Sequence, residues 1–189
     1  MIKPPIIVTG CQRSGTGIVT EILAQEYDVT RLGNRDLYPT ELPKLRKLLA
    51  NNIDKFALQM PIALNCWLDM WHTYPQVHFV GVMRDTEDIV ASMKRIEWRK
   101  DDFYHWPDYL YDTVAYQKGQ WSILKDILPD TSWTEVEYES FKDHPLFVEK
   151  EKRKDFTVNQ VEIGKPVGPV SWRKNDIILS GHTIENDSH

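Results

Sequence analysis

The fold of this chain is decided by residues 10–16, Gly-Cys-Gln-Arg-Ser-Gly-Thr. An apolar run over residues 6–9 precedes this loop, and apolar residues that share one helical face follow it: Ile18, Val19, Ile22 and Leu23. The local order is therefore strand, tight loop and helix. Gly10 and Gly15 let the backbone turn sharply, and the helix that begins near Thr16 points unpaired N–H groups and the positive end of its dipole into the loop. The stretch predicts a cradle for a phosphate-like anion.

The spacing of these glycines is that of the nucleoside-triphosphate-binding loop, in which four residues separate two glycines and a Lys follows. Thr16 stands at the position of that Lys. This difference weakens an interpretation as a kinase or a GTPase, and no carboxylate that could hold a metal ion clearly follows a strand. A nucleotide kinase is therefore the third-ranked hypothesis.

Length and charge limit the classes of protein to which the loop can belong. The 189 residues fit one domain with a core of its own, which we expect over residues 1–179, followed by a polar tail over residues 180–189. A net charge of −5 argues against a general nucleic-acid binder but allows a local basic pocket for a small anion.

The pattern of cysteines and apolar residues indicates a cytoplasmic protein. Cys11 and Cys66 are too few for a disulfide framework, and the N-terminus lacks the apolar run of a signal peptide. No window approaches the roughly 18 apolar residues of a membrane-spanning helix. We therefore expect neither a membrane nor a nucleic acid as a partner. Cys11 would be reactive if the helix dipole lowered its pKa, but a small side chain that fills space is the favoured interpretation.

Strands and helices alternate along the chain. Strands are predicted at residues 6–9, 55–60, 77–83 and 134–138, from period-two alternation or continuous apolar runs. Helices are predicted between them, at residues 16–26, around 64–70, from Asp85 or Thr86 to about Ile96, and around 110–128. Residues 27–54 permit no firm assignment, residues 149–155 indicate a solvated helix face, and residues 165–174 indicate a loop. The alternation predicts a three-layer α/β/α fold with a central parallel sheet, like that of the P-loop nucleoside-triphosphate hydrolases, with ligands at the carboxyl ends of the strands.

A second polar pair follows the strand at residues 77–83. Arg84 comes directly after this strand, and Ser92 lies two turns into the next helix. A guanidinium can hold a phosphate through two hydrogen bonds while a hydroxyl reaches the same phosphate from another side, and a charge-assisted bond of this kind contributes roughly 1.5–3 kcal/mol. The competing interpretation is a surface ion pair between Arg84 and Asp88 at helix spacing.

Together these features resemble the sulfotransferase family, in particular the protein-tyrosine sulfotransferases and the bacterial sulfotransferases. The resemblance rests on scattered motifs: Arg13-Ser14-Gly15-Thr16, Arg84 with Ser92, Tyr138-Glu139, and Lys165-Pro166-Val167 with Trp172. It implies transfer of a sulfuryl group from 3′-phosphoadenosine 5′-phosphosulfate to a hydroxyl or amine of a small molecule, a sugar or a peptide. No metal ion is expected.

The resemblance also implies a role for each matching residue. The 5′-phosphosulfate would be held by the loop and the start of its helix, through Gly10, Gln12, Arg13, Ser14, Gly15, Thr16 and Gly17. The 3′-phosphate would be held by Arg84 and Ser92, and the nucleotide would be supported by Tyr138, Lys165 and Trp172, although Tyr138 is alternatively an aromatic residue of the core. Arg13 is the candidate catalytic cation, because it would neutralise charge on the transferring group.

The chain also departs from the family pattern. Residues 33–34, Gly-Asn, stand where the tyrosine-sulfating branch has Gly-Glu, which leaves Asp36, slightly ahead of Glu41, as the candidate general base. Gly17 replaces the usual second Thr, and residues 59–61, Gln-Met-Pro, stand where a Lys two residues before Pro is common. These departures favour, as an alternative, a degenerate member that binds the nucleotide or a partner without turnover.

Overall fold

The computed structural model describes residues 2–32, 56–97 and 106–147. Its strands are β1 (Ile6–Gly10), β2 (Thr30–Leu32), β3 (Phe56–Gln59), β4 (His78–Met83) and β5 (Trp133–Glu137). Its helices are α1 (Thr16–Glu26), α2 (Trp67–Thr73), α3 (Thr86–Arg95) and α4 (Trp106–Ile127), and short 3-10 turns lie at Pro61–Asn65, Asp130–Ser132 and Tyr138–Phe141. None of these helices is both long and apolar enough to cross a membrane.

The strands form one parallel sheet in the order β2-β3-β1-β4-β5. β1 lies at its centre, with Ile6 in register with Ala57 of β3 and His78 of β4. The chain leaves β1 toward β2 on one side of the sheet and leaves β4 toward β5 on the other side. The crevice between the carboxyl ends of β1 and β4 is therefore a topological switch point, where open α/β sheets bind ligands. The predicted parallel sheet is confirmed.

Helices cover both faces of the sheet, and the side chains of β1 alternate between the two layers. Ile6 and Val8 belong to the layer of α1, with the predicted apolar face of that helix: Ile18, Val19, Ile22 and Leu23. Ile7 belongs to the opposite layer, with side chains of α2, of α4 and of the residue that follows α4: Trp67, Met70, Trp121, Leu124 and Leu128. Because burial of each large apolar side chain contributes about 1.5–3 kcal/mol, these layers hold the strand ends in place. The predicted three-layer fold is confirmed.

α4 lies close to the sheet because β4 contains a glycine. A Cβ atom at residue 81 would lie 2.3 Å from Cζ2 of Trp121, so the indole fills the space over Gly81. Trp121 also meets Trp133 of β5 edge to face, with ring centroids 6.3 Å apart. This packing fixes α4 beside the carboxyl ends of β4 and β5.

The helix α3, which follows β4, begins where the sequence predicts. Asp85 caps α3, because its Oδ1 atom accepts hydrogen bonds from the backbone N–H groups of Glu87 and Asp88, at 2.8 and 3.2 Å. The capped helix follows β4 directly. Its residue Ser92 therefore lies near the loop that follows the carboxyl end of β1.

Three elements differ from the sequence predictions. β2 lies in residues 27–54, where the sequence permits no firm assignment, because this strand has only three residues and the charged Arg31 at its centre. The helix predicted around residues 64–70 begins as a 3-10 turn at Pro61 and becomes α-helical at Trp67. Tyr138 begins a 3-10 turn instead of ending β5. The segments at residues 149–155 and 165–174 lie outside the described residues.

Candidate functional site

The loop between β1 and α1 has an unusual backbone. Gly10, Arg13 and Gly15 have φ angles of 141°, 72° and 103°. A Cβ atom at residue 10 would lie 2.7 Å from the carbonyl oxygen of Val82, so only glycine fits where β1 passes β4. Arg13 takes a left-handed conformation without being glycine, which costs of order 1–3 kcal/mol.

The start of α1 is open to an anion. Gly15 precedes the helix without a side-chain cap, and the first turn contains no acidic residue. The N–H groups at a helix start lack partners within the helix, and the dipole adds partial positive charge there. Ser14 Oγ in the same loop is buried and has no hydrogen-bond partner among the described residues. A buried hydroxyl of this kind is costly unless a ligand or water satisfies it.

Arg84 joins the loop to the end of β4. Its side chain is 6% exposed, and Nη1 donates a hydrogen bond to the carbonyl oxygen of Arg13 at 3.3 Å. Nη2 lies 3.7 Å from Oδ2 of Asp88, and Nε lies 3.5 Å from Oε1 of Glu139. The ion pair with Asp88 therefore exists, but Arg84 is buried against the anion loop and is not a surface residue.

Ser92 and Arg13 complete this junction. Nε of Arg13 donates a hydrogen bond to Oγ of Ser92 at 3.4 Å, across 79 residues of sequence. The loop, the end of β4 and α3 thus all contribute polar side chains to the same crevice. Arg13 and Arg84 lie at one edge of the sheet and are not on opposite faces.

Tyr138 supports the loop from the side of α1. A Cβ atom at residue 15 would lie 2.2 Å from Cδ2 of Tyr138, so the ring packs directly on Gly15. Cζ of Arg84 lies 4.6 Å from the centre of the same ring, which is a cation-π distance. The ring also packs against that of Phe147, with centroids 5.0 Å apart. Tyr138 is thus a core aromatic residue that also positions Gly15 and Arg84.

α4 holds the first half of the loop. The backbone N–H of Gln12 donates to Oε1 of Gln117 at 3.0 Å, and Sγ of Cys11 donates to the carbonyl oxygen of Val114 at 3.8 Å. Burial raises the pKa of the Cys11 thiol to about 11, although Lys118 opposes this shift. Cys11 is buried in an apolar cluster with Ile89 and Val114, as expected for a filler of space, and its raised pKa disfavours the reactive thiolate.

A buried polar chain reaches Thr16 from β2 and β3. Nε2 of Gln59 donates to Oγ1 of Thr16 at 3.4 Å, and Nη2 of Arg31 donates to Oε1 of Gln59 at 3.4 Å. Arg31 also pairs with Glu21 of α1, with 3.0 Å between Nε and Oε2. Burial lowers the pKa of Arg31 to about 10, against the opposing effect of Glu21.

The predicted site residues divide into two groups. The structure brings one group to the carboxyl edge of the sheet: Gly10, Gln12, Arg13, Ser14, Gly15, Thr16, Gly17, Arg84, Ser92 and Tyr138. The other group lies outside the described residues: Asp36, Glu41, Lys165 and Trp172. Sequence reasoning missed Glu21, Arg31 and Gln117. Their contacts, the Arg31 pair with Glu21 and the bond of Gln117 to the backbone of Gln12, cannot be predicted from a local sequence pattern.

Cavities lined by described residues lie beside the site. One of about 10 Å³, the size of a single water molecule, lies between Gly10, Gln117 and Trp121. Another is an open cleft of about 430 Å³ between α4 and β5, lined by Arg84, Lys118 and Glu137 among others. Within residues 2–32, 56–97 and 106–147, no group of three or more His, Cys, Asp or Glu side chains is arranged to hold a metal ion.

Comparison with known proteins gives similarity in structure and not in sequence. No protein-family model and no curated protein sequence matches the chain. The sulfotransferase domain from the curacin biosynthetic pathway matches with a TM-score of 0.56 and 13% identity, over 76% of this chain and 70% of that one. A sulfotransferase from Alicyclobacillus acidocaldarius matches with a TM-score of 0.53 and 15% identity, over 77% of each chain. A gluconokinase from Sinorhizobium meliloti 1021 matches with a TM-score of 0.45, 15% identity and 97% coverage of both chains. From the first two matches, the chain has a sulfotransferase-like fold.

Proposed function

We propose that this chain is a sulfotransferase that moves a sulfuryl group from 3′-phosphoadenosine 5′-phosphosulfate to a hydroxyl or amine acceptor. The observation that carries the proposal is the junction of Arg13, Arg84 and Ser92 at the open start of α1. Arg84 Nη1 contacts the backbone of Arg13 at 3.3 Å, and Arg13 Nε contacts Ser92 at 3.4 Å. Both side chains bring positive charge to a partly buried crevice, so a bound anion would stabilise this arrangement.

A nucleotide with a 5′ group and a 3′-phosphate would find hydrogen-bond donors for both among the described residues. The start of α1 and the buried Ser14 hydroxyl offer donors to the 5′ group. Arg84 and Ser92 offer a guanidinium and a hydroxyl to the 3′-phosphate. The carboxylates of Asp88 and Glu139, both partly exposed, hold Arg84 only loosely and would yield to a phosphate.

The reaction would need positioning and charge neutralisation more than covalent help from the protein. The acceptor oxygen or nitrogen forms a bond to sulfur, and the bond between sulfur and the bridging oxygen breaks. The electron pair of that bond leaves with the 5′-phosphate of the bisphosphate product. Arg13 would stabilise the charge that develops on this oxygen, and one such donor is worth roughly a hundredfold or more in rate. We propose Asp36, or else Glu41, as the base that takes the acceptor proton.

One specific observation favours a second candidate, which is a nucleotide-binding protein without turnover. Gln59 stands where relatives commonly have Lys, and its amide carries no charge that could neutralise a sulfuryl group. In the structure this amide contacts Thr16 at the start of α1. The binder and the enzyme share the nucleotide and differ only in the chemical step.

Calorimetry tests the nucleotide. We expect adenosine 3′,5′-bisphosphate to bind the wild-type protein, and Arg84→Ala to weaken binding at least tenfold through the loss of charge-assisted hydrogen bonds. Lys94→Ala is the matched control, because it removes an exposed cation of α3 whose contact within the described residues is the ring of Tyr111, 5.3 Å away, on another part of the helix surface. No heat with the bisphosphate would refute both the enzyme and the binder, and heat with ATP alone would favour the kinase.

Transfer of label tests the chemistry. The protein is incubated with 35S-labelled donor and a panel of phenol, sugar and amine acceptors. We expect a labelled product, and a loss of about a hundredfold or more in Arg13→Ala. Binding of the bisphosphate without transfer to any acceptor would favour the binder, and undiminished transfer by Arg13→Ala would refute the role of Arg13.

A further inference from the structure

Four polar side chains are joined in a continuous series of contacts behind the loop of residues 10–16. The series runs from Glu21 of α1 to Arg31 of β2, then to Gln59 of β3, and ends at Thr16 on the first turn of α1. Glu21, Arg31 and Thr16 are buried, and Gln59 is half-buried. The role of this series follows from which of its groups donate hydrogen bonds and which accept them.

The donor and acceptor properties fix the direction of every bond. A guanidinium has donors only, so Gln59 presents its oxygen to Arg31, at 3.4 Å. The amide nitrogen of Gln59 must then face Thr16, where it lies 3.4 Å from Oγ1. Because an amide NH₂ group only donates, the hydroxyl oxygen of Thr16 accepts this bond. The hydrogen of that hydroxyl is left for another acceptor.

The position of Thr16 decides where this hydrogen points. A Thr inside a helix commonly donates its hydroxyl to the carbonyl four residues earlier, and Thr20 does so to Thr16 at 2.7 Å. Thr16 is the first residue of α1, so the helix has no carbonyl four residues before it. Its side chain lies at the helix start that faces the loop, which is where an anion would be bound.

We propose that Arg31 and Gln59 are positioning residues that fix the Thr16 hydroxyl as a hydrogen-bond donor to the anion in the loop. The identity of this anion as the 5′-phosphosulfate rests on the proposed function. Glu21 balances the charge of Arg31, so the buried pair orients the Gln59 amide without adding net charge to the site. These four residues, Glu21, Arg31, Gln59 and Thr16, are called the relay below. The relay orients the Thr16 hydroxyl and does not supply the positive charge of a Lys.

A double-mutant cycle measured by calorimetry tests the relay. We expect Thr16→Val and Gln59→Leu each to weaken binding of adenosine 3′,5′-bisphosphate roughly ten- to hundredfold, the range for a lost hydrogen bond to a charged group. Gln59 acts through Thr16, so the two losses should not add. The affinity of the double variant for the bisphosphate should equal that of whichever single variant binds less tightly. Thr20→Val is the control, because it makes the same change one turn along α1, and we expect its affinity to stay within about twofold.

The variant Gln59→Glu separates positioning from stability. Gln59→Glu keeps the size of the side chain and its bond to Arg31, but an ionised carboxylate only accepts, so it would take the Thr16 hydrogen away from the loop. We expect a melting temperature at or above the wild-type value together with weaker binding than in Gln59→Leu. A purely structural role of Gln59 would give affinities that follow the melting temperatures of the variants.

The same titrations with ATP distinguish failure of the relay from failure of the proposed function. If the wild-type protein binds ATP and not the bisphosphate, the sulfotransferase proposal fails and the cycle is run with ATP. If a nucleotide binds and Gln59→Leu leaves its affinity unchanged, or if the two losses multiply in the double variant, the relay is wrong. If neither nucleotide binds, both proposals are wrong.

Discussion

Substitution of Gly15 by Ala should damage the loop in two separable ways. Residue 15 has a φ angle of 103°, and forcing a residue with a Cβ into a left-handed conformation costs about 1–2 kcal/mol. The new Cβ would also lie 2.2 Å from Cδ2 and 2.3 Å from Cε2 of Tyr138, and such overpacking typically costs about 1–3 kcal/mol. We therefore expect Gly15→Ala to lower the free energy of unfolding by about 2–5 kcal/mol.

Urea unfolding of four variants measures both parts. The double variant Gly15→Ala with Tyr138→Ala removes the clash and leaves the backbone strain, so its loss should be smaller than the sum of the two single losses by about 1–3 kcal/mol. Gly119→Ala is the control. A Cβ there would meet nothing within 4 Å, and Ala in a helix interior is about 0.5–1 kcal/mol better than Gly, so this variant should be more stable than the wild type.

Gly15→Ala should also weaken nucleotide binding, because the ring of Tyr138 packs against Arg84, with 4.6 Å between Cζ and the ring centre. A displaced ring would shift the guanidinium, and Gly15→Ala should then bind adenosine 3′,5′-bisphosphate more weakly than its stability alone explains. An unfolding free energy within about 0.5 kcal/mol of the wild type would refute the reasoning, since that is the range of neutral surface changes.

Further predictions concern groups outside the nucleotide contacts. In the folded protein, burial lowers the pKa of His78 below its ordinary value of 6.5. The stability that the neutral imidazole allows is therefore complete above pH 6.5 and is lost as the pH falls from 6.5 toward the folded pKa. In urea titrations, His78→Gln should show a flatter dependence of stability on pH below 6.5, and parallel profiles for the two proteins would contradict this. With a pKa of about 11, Cys11 should resist iodoacetamide at pH 8 until denaturant is added, as followed by mass spectrometry, whereas fast labelling of the folded protein would show that the thiol is exposed. Arg31→Met should cost about 3–5 kcal/mol by leaving Glu21 charged and buried, and the double change with Glu21→Leu should restore part of that loss; equal losses in the two variants would speak against the pair. Asp85→Ala should cost about 1 kcal/mol through loss of the cap of α3, and an unchanged melting curve would exclude the cap.

Local patterns were sufficient for the fold and for half of the site. Residues 10–16 and Arg84 each follow an apolar strand directly, and parallel strands bring their carboxyl ends to one edge, so the meeting of Arg13, Arg84 and Ser92 was predictable. β2 was not predictable, because three residues around a charged Arg31 show no alternation of polar and apolar side chains.

The supporting contacts could not be derived from spacing. Arg31 and Gln59 are 28 residues apart, and their bond depends on the register of β2 beside β3. Tyr138 was expected at the end of a strand, but its contact with Gly15 depends on the 3-10 turn that folds it back over the loop. Gln117 meets the loop only because α4 packs across the sheet on Gly81. Each of these contacts is a consequence of tertiary packing, which single-sequence patterns do not contain.

A crystal structure of the protein bound to adenosine 3′,5′-bisphosphate measures the central claim most directly. We expect the 5′-phosphate in the loop of residues 10–16, within hydrogen-bond distance of Ser14 and Thr16, and the 3′-phosphate on Arg84 and Ser92. A nucleotide bound elsewhere, or one whose 3′-phosphate contacts neither Arg84 nor Ser92, would contradict the proposal.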